Sequence, residues 1–353
     1  MIIRKIFSLP TSIISLFIFI LFINTNSISD ENNIKYYSGD EGILSLMYHR
    51  FNENKYPSTN IQMDVFKEQM EIVKNSSYAF SNPKNFEKNF TSPKTNKEIL
   101  ITIDDAFLSF YLEAWPYIKK NKIPFILFVS TEPVGKKGYM TWEQIKEVGA
   151  EKFAVIGHHS HSHGYLIDKD NNFFISDIEK ANEIFLKNLG YIPNLFSYPF
   201  GEYSKFMRDY ISQNFDYAFG QHSGVIDLNK DKFELPRFPI NENYGELKRF
   251  ISIINSFPLE YEQLLPLEKK LSMENNPPNF QVKFFSEQTN LKNINCYSNE
   301  LDVWERSNTI LNNDTLIIKF RGPFVPRRGR INCSLNDNGK WRWFGVQFPI
   351  TKN

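Results

Sequence analysis

Short apolar runs alternate with helical patterns from residue 43 to about residue 254. The runs at 43–48, 99–103, 125–129, 154–156, 195–197 and 217–219 are brief and dominated by apolar residues, which predicts buried strands. Helical patterns cover 64–75, 109–121, 205–214 and 244–256. Two further helix starts are signalled by capping boxes, in which a hydroxyl accepts from the backbone three residues on and Glu or Gln reaches back. These are Thr141 with Gln144 and Ser176 with Glu179. Strand followed by helix, repeated over roughly 210 residues, predicts an α/β domain with a parallel sheet and helices outside, either a barrel or a doubly wound sheet. Both architectures put their site at the C-terminal ends of the strands.

The pattern changes after Pro258. Residues 259–278 carry Pro266, Pro277 and Pro278 among charges and read as a linker with room for one short helix. Residues 279–353 then show short β-like runs at 282–285, 315–320, 329–335 and 341–348, with an Asn-Asp-Asn-Gly turn at 336–339. This predicts a small all-β, sandwich-like accessory domain behind a larger domain at 30–258. At the front, Arg4 and Lys5 precede an apolar run at 13–23, shorter than the roughly 20 residues that span a bilayer. Residues 1–29 are therefore expected to be a secretory signal, with retention as a membrane anchor through residues 6–23 as the alternative. Either way the chain is expected to be exported to the periplasm, cell envelope or medium.

Composition narrows the function. A formal net charge of +1 over 353 residues gives no general attraction for phosphate backbones, so nucleic acid is not an expected partner. Two cysteines exclude a disulfide scaffold and a cysteine-rich zinc module. Cys296 and Cys333 both fall in the accessory domain, where export would let them form one disulfide. Trp304, Trp341, Trp343 and Phe344 lie there too, near Arg327, Arg328 and Arg330. They could form a platform for sugar rings; the expectation is that Trp serves as core of the small sandwich.

Two clusters carry chemistry. Ile101-Thr102-Ile103 runs directly into Asp104 and Asp105, two carboxylates that can share one site only where the strand ends and turns. Gly157-His158-His159-Ser160-His161-Ser162-His163-Gly164 holds four of the six histidines and follows the run at 154–156, which puts it on the same rim. Histidines with a carboxylate suit a borderline divalent ion such as zinc, and two histidines with one aspartate leave positions open for water and substrate. Spacing leaves open whether His159 with His163, or His158 with His161, supply the nitrogens.

With these residues on the page, the chain resembles the polysaccharide deacetylases, carbohydrate esterase family 4, over roughly residues 40–255. Thr102-Ile103-Asp104-Asp105-Ala106 is similar to that family's Thr-Phe-Asp-Asp-Gly strand end, and His159-Ser160-His161-Ser162-His163 to its His-Ser/Thr-x-x-His motif. Phe196-Ser197-Tyr198-Pro199-Phe200-Gly201 resembles its third motif, and Leu46-Met47-Tyr48-His49 its opening strand. The resemblance implies a distorted parallel (β/α) barrel that removes acetyl groups from an N-acetylated glycan. It implies one divalent metal, zinc first with cobalt, nickel or iron as alternatives, held by Asp105, His159 and His163. It implies Asp104 as general base and the turn at Tyr198, Pro199 and Phe200 as the oxyanion donor. His222, after a late strand, is the expected general acid, with His49 as rival or as a group orienting the site. Trp142 is considered as a wall of the sugar site against plain core packing.

Two departures from the family pattern matter. Ala106 replaces a common glycine, so the turn is expected to avoid backbone geometry that only glycine tolerates. Ser197 stands where many members carry an arginine that pairs with the base, and Arg237, a lone basic residue in an apolar run, is expected to supply that charge instead. The alternatives to a polymer deacetylase are a metal amidase acting on a smaller amide, or a glycan-binding protein of the same fold without turnover.

Overall fold

The first strand, β1 (Ile43–Tyr48), is apolar at nearly every position and buried throughout. So are β2 (Glu98–Ile103) and β3 (Phe125–Val129), as expected of parallel strands covered on both faces. The structure is a computed structural model that describes residues 42–91, 97–227, 231–285 and 290–351. The segment expected as signal or anchor lies outside these. Among the described residues no helix is long and apolar enough to cross a membrane.

β4 (Ala154–His158), β5 (Leu195–Ser197), β6 (Tyr217–Phe219) and β7 (Phe238–Pro239) complete a curved sheet in the order β7-β1-β2-β3-β4-β5-β6, every pair parallel. Ala79–Phe80 adds a short strand beside β2. The stretch from Leu235 to Pro239 draws the two ends together, bridging Phe219 through Leu235 and pairing with Leu46 through Phe238. The result is the distorted (β/α) barrel.

Helices α1 (Met63–Lys74), α2 (Trp115–Asn121), α3 (Trp142–Gly149), α4 (Asn171–Leu189), α5 (Lys205–Asn214) and α6 (Leu247–Ile254) connect the strands. The capping box at Thr141 is formed in both directions. The one expected at Ser176 is not a helix start: α4 begins five residues earlier, because Asp170 accepts from Phe173 N–H at 2.8 Å and nothing interrupts the helix before Ser176. Residues 109–121 divide into a π-helical turn at Phe110–Ala114 and α2, with Pro116 in the first turn of α2, where its missing N–H costs nothing.

Two further sheets form the C-terminal module. One pairs β8 (Phe257–Pro258), β16 (Lys340–Pro349), β15 (Arg328–Asp337), β11 (Asn295–Ser298) and β12 (Glu305–Arg306); the other pairs β9 (Gln263–Leu265), β10 (Gln281–Lys283), β14 (Thr315–Lys319) and β13 (Asn308–Asn312). The hairpin β15–β16 turns through Asn338 and Gly339, both left-handed, the conformation that suits the right-handed twist of its strands. Residues 259–278 contain no helix and do more than connect: β9 lies in this stretch, and Leu259, Leu264 and Leu271 enter the module's core. Cys296 and Cys333 face each other on β11 and β15 and are disulfide-bonded.

Barrel and module belong to one compact unit. Arg327 and Arg328 both reach Glu202, at 2.7 and 2.8 Å, and Arg327 also meets Asp168 at 3.0 Å. Gly345 of β16 lies so close to the loop after β6 that a Cβ there would sit 2.4 Å from the Ser223 carbonyl.

Candidate active site

The backbone leaves β2 by an abrupt turn. Asp105 and Ala106 both take left-handed φ, 74° and 52°. The expectation for Ala106 is thus corrected. A left-handed alanine costs about 1–2 kcal/mol, and the turn is held because the Ala106 carbonyl accepts from Met140 N–H at 2.9 Å. Ser160, His163 and Phe200 are left-handed as well, so backbone strain gathers on this rim.

The turn splits the two carboxylates. Asp104 points inward to Arg237, and both side chains are fully buried. Nη1 donates to Asp104 Oδ1 at 2.7 Å and Nη2 to Oδ2 at 2.8 Å, a bidentate pair. The remaining guanidinium hydrogens go to Thr102 Oγ1 at 3.1 Å, Ser197 Oγ at 2.7 Å and the Gly220 carbonyl at 2.9 Å. All five donors are therefore used. Ser197, which replaces the family's arginine, is a hydrogen-bond partner of the arginine that arrives from the Leu235–Pro239 stretch. Burial pushes the Asp104 carboxyl up, but the Arg237 charge, His159 and the Arg237 hydrogen bonds bring it below the usual aspartate value.

Asp105 turns to the other side, toward His159 and His163. Its Oδ1 lies 2.9 Å from His163 Nε2 and 3.4 Å from His159 Nε2, and all three ligand atoms fall within 4.8 Å of one another. The donor chemistry suits a divalent metal. Asp105 Oδ1 and His159 Nε2 are buried without a hydrogen-bond partner, an arrangement that costs energy unless a cation fills it. The Ser197 carbonyl, 2.6 Å from His159 Nδ1, can only accept, so the proton sits on Nδ1 and the Nε2 lone pair faces the cluster. Burial opposes ionisation of Asp105, but the neighbouring charges, His163 first, outweigh it and hold its carboxyl well below the usual range.

The other histidines separate cleanly. His158 is enclosed by Phe185, Phe196 and Phe215, and burial pushes it down to about 3, so it is a neutral core residue. His161 bonds Thr131 Oγ1 through Nδ1 at 2.8 Å. The loop is tied from below by Asp177 of α4, which accepts from His161 N–H at 2.8 Å and Ser162 N–H at 3.1 Å. Sequence reading missed Asp177; its signal was an acid on the apolar face that includes Phe174, Ile178 and Ala181.

His49 and His222 both line the cleft above Asp105 and His163. His49 lies in the field of the cluster: burial lowers its pKa, the charges of Asp105 and Asp104 oppose that, and Arg237 and His159 reinforce it. The His222 carbonyl accepts from Arg237 N–H at 2.9 Å. In the expected oxyanion turn, Tyr198 is not available, because its N–H is committed to the Phe219 carbonyl at 3.0 Å and its ring is buried beside Phe196 and Tyr203. Pro199 has no N–H, which leaves Phe200, whose ring packs edge-on to His163 at 4.7 Å. Trp142 packs against Phe185 of α4 and is absent from the cleft lining, which decides for core packing.

One contributor has no counterpart in the barrel's motifs. Gln347 of β16 donates to the Phe200 and Gly201 carbonyls, each at 3.0 Å, so the C-terminal module holds the turn that borders the Asp105–His159–His163 cluster.

Two aspartates and two histidines thus gather at the C-terminal ends of the strands of a parallel α/β barrel, and the chain is similar to known proteins over this region. Residues 91–218 match the sequence model of the family described as polysaccharide deacetylase. YxkH of Bacillus subtilis is 25% identical over 165 residues, 45% of this chain and 57% of that protein, so the chain spans little more than half of that relative. A Staphylococcus aureus protein named poly-beta-1,6-N-acetyl-D-glucosamine N-deacetylase is 22% identical over 238 residues, 59% of this chain and 81% of the other. The structure of IcaB from Ammonifex degensii superposes with a TM-score of 0.53 at 26% identity, covering 60% of this chain and 97% of that one.

Proposed function

We propose that the chain is a metal-dependent hydrolase that removes N-acetyl groups from an N-acetylated polysaccharide. The observation that carries this is the division of the adjacent aspartates: Asp105 joins two histidines with unshared donor atoms, while Asp104 stays ionised on a fully satisfied arginine. Asp105, His159 and His163 would hold one divalent ion. When bound, such an ion supplies Lewis-acid polarisation of an amide carbonyl and lowers the pKa of water.

The chain's own groups do the rest. Asp104 takes the proton of the attacking water; both its oxygens accept from Arg237, yet a carboxylate has about four acceptor sites, so capacity remains for water. Phe200 N–H is the donor of the turn available to the developing oxyanion. The amine must leave with a proton, and we assign its delivery to His222, with His49 as the rival, since both line the cleft with Asp105 and His163. Acetate and a free amine on the sugar are the products.

The cleft has a volume of about 990 Å³ and is lined by residues of both the barrel and the module, which suits a chain better than a small amide. Poly-β-1,6-N-acetylglucosamine is the first substrate to test, since a relative is named for it. The experiment is acetate release from N-acetylglucosamine oligomers with metal analysis of the purified protein. Acetate release that is abolished by chelation and restored by added metal is expected; release unaffected by metal removal refutes the reading.

A further inference from the structure

The five-stranded sheet of the C-terminal module has two unlike faces. Along β15, Gly329, Ile331, Cys333 and Leu335 are buried in the module, while Arg328, Arg330, Asn332 and Ser334 line the cleft over the barrel rim. This is the period-two alternation of a strand with one face in a core. β16 and β11 continue it: Trp341, Trp343 and Tyr297 line the same cleft, joined by Trp304 from the loop before β12. Asp105, His163 and His49 line this cavity too, so wall and catalytic cluster share one space.

The wall is built of groups a protein does not ordinarily leave open. Trp304, Tyr297 and Trp341 are 47%, 47% and 46% exposed. Trp343 lies against Phe238 with its indole N–H buried and without an acceptor among the described residues. Arg330 is largely desolvated; the one hydrogen bond of its guanidinium among the described residues is to Gln347 at 3.3 Å, and that guanidinium has no carboxylate partner among them. The Arg249 guanidinium, also in the lining, bonds the Tyr244 carbonyl and has no carboxylate partner among the described residues, and Asp105 is the only acid among the described lining residues.

We propose that this face of the C-terminal module binds the sugar units flanking the one that reacts. It rests on the deacetylase reading above and identifies where the rest of the chain lies. Pyranose rings present a flat face of C–H groups, which packs on exposed aromatic rings. The Arg330 guanidinium then donates to hydroxyl or acetamido oxygens. The uncompensated guanidinium charge favours neutral N-acetylated units and repels the ammonium of glucosamine units already processed. The occupant is therefore a stretch of still-acetylated glycan.

The test uses β-1,6-linked N-acetylglucosamine dimer and hexamer with the full chain. For the wild type, kcat/KM on hexamer should exceed that on dimer, and Trp341→Ala or Tyr297→Ala should reduce that ratio about tenfold, the loss of one good aromatic contact. Both side chains are half exposed, so the variants should keep the wild-type melting temperature. Binding is read separately in an Asp104→Asn background by tryptophan fluorescence and calorimetry. There, Trp341→Ala should weaken hexamer about tenfold, and the fully de-N-acetylated hexamer should bind more weakly than the acetylated one. An unchanged length ratio in the variants, or equal losses on dimer and hexamer, overturns the proposal. Absence of acetate release by the wild type on any N-acetylated oligomer would instead remove the deacetylase reading, and the binding measurements would still decide for or against the wall.

Discussion

Two regions face each other across the cleft, and they are built on opposite rules. On the barrel side, Asp104 and Arg237 are fully buried and the guanidinium has spent all five donors inside the protein. On the module side, the Arg330 guanidinium has few internal partners and the rings of Trp304, Tyr297 and Trp341 stand half exposed at the cleft. A group that must hold one protonation state through a reaction gains from complete internal satisfaction. A group that must meet a ligand gains from being left unsatisfied until the ligand comes. The difference separates chemistry from recognition on a single cavity.

The largest test of that separation is at the carboxylates. Asp104→Asn should keep metal content, measured by elemental analysis, while kcat falls by about 10²–10⁴, the usual worth of a general base. His159→Ala should lose the metal itself. Should Asp104→Asn turn over normally, the barrel side has no base there and the contrast collapses. Next comes Arg237→Met, which strands a buried carboxylate. It should destabilise the protein by about 3–5 kcal/mol in denaturant unfolding, with Arg237→Lys recovering only part because it cannot bond bidentately.

A smaller effect is expected on the module side. Replacing Cys296 and Cys333 with serine opens a span of 37 residues and should cost about 2–4 kcal/mol in unfolding free energy. If the wall belongs to recognition, this pair should lower oligomer affinity more than it lowers turnover of the dimer. Gln347→Leu sits on the seam. It removes both bonds to the turn carbonyls for about 1 kcal/mol of stability. Its signature should be a fall in kcat larger than any rise in KM, since the Phe200 turn moves rather than the sugar wall.

The catalytic side was legible in the sequence because its signals are local. Paired carboxylates at a strand end and histidines on the loop after a strand announce themselves in a few residues, and Arg237 was visible as a charge in an apolar run. The strands of the barrel were legible for the same reason: full burial writes continuous apolar runs. What was not legible depended on who the neighbour would be. Trp341 and Trp304 were expected to fill a core, yet they stand open, because the sheet's second face is set against the barrel rim and not against another sheet. The alternation Arg328, Arg330, Asn332, Ser334 against Gly329, Ile331, Cys333, Leu335 did mark a two-faced strand; nothing local said what the polar face would look upon. His158 shows the converse, since proximity to the metal motif gave it a claim that three phenylalanines cancel.

Gln347 lies within the last strand of the described chain, and its two bonds reach back about 146 residues to the turn beside the Asp105–His159–His163 cluster. Timing follows from that distance. During synthesis the barrel's strands emerge first and can pair among themselves, but the turn they carry stays unbraced until the final hairpin has been made and has docked. Bracing of that turn is thus linked to synthesis of the hairpin β15–β16. A copy ended before β16 would keep Asp104, Asp105, His159 and His163, and still lack the Gln347 clamp on the turn beside them.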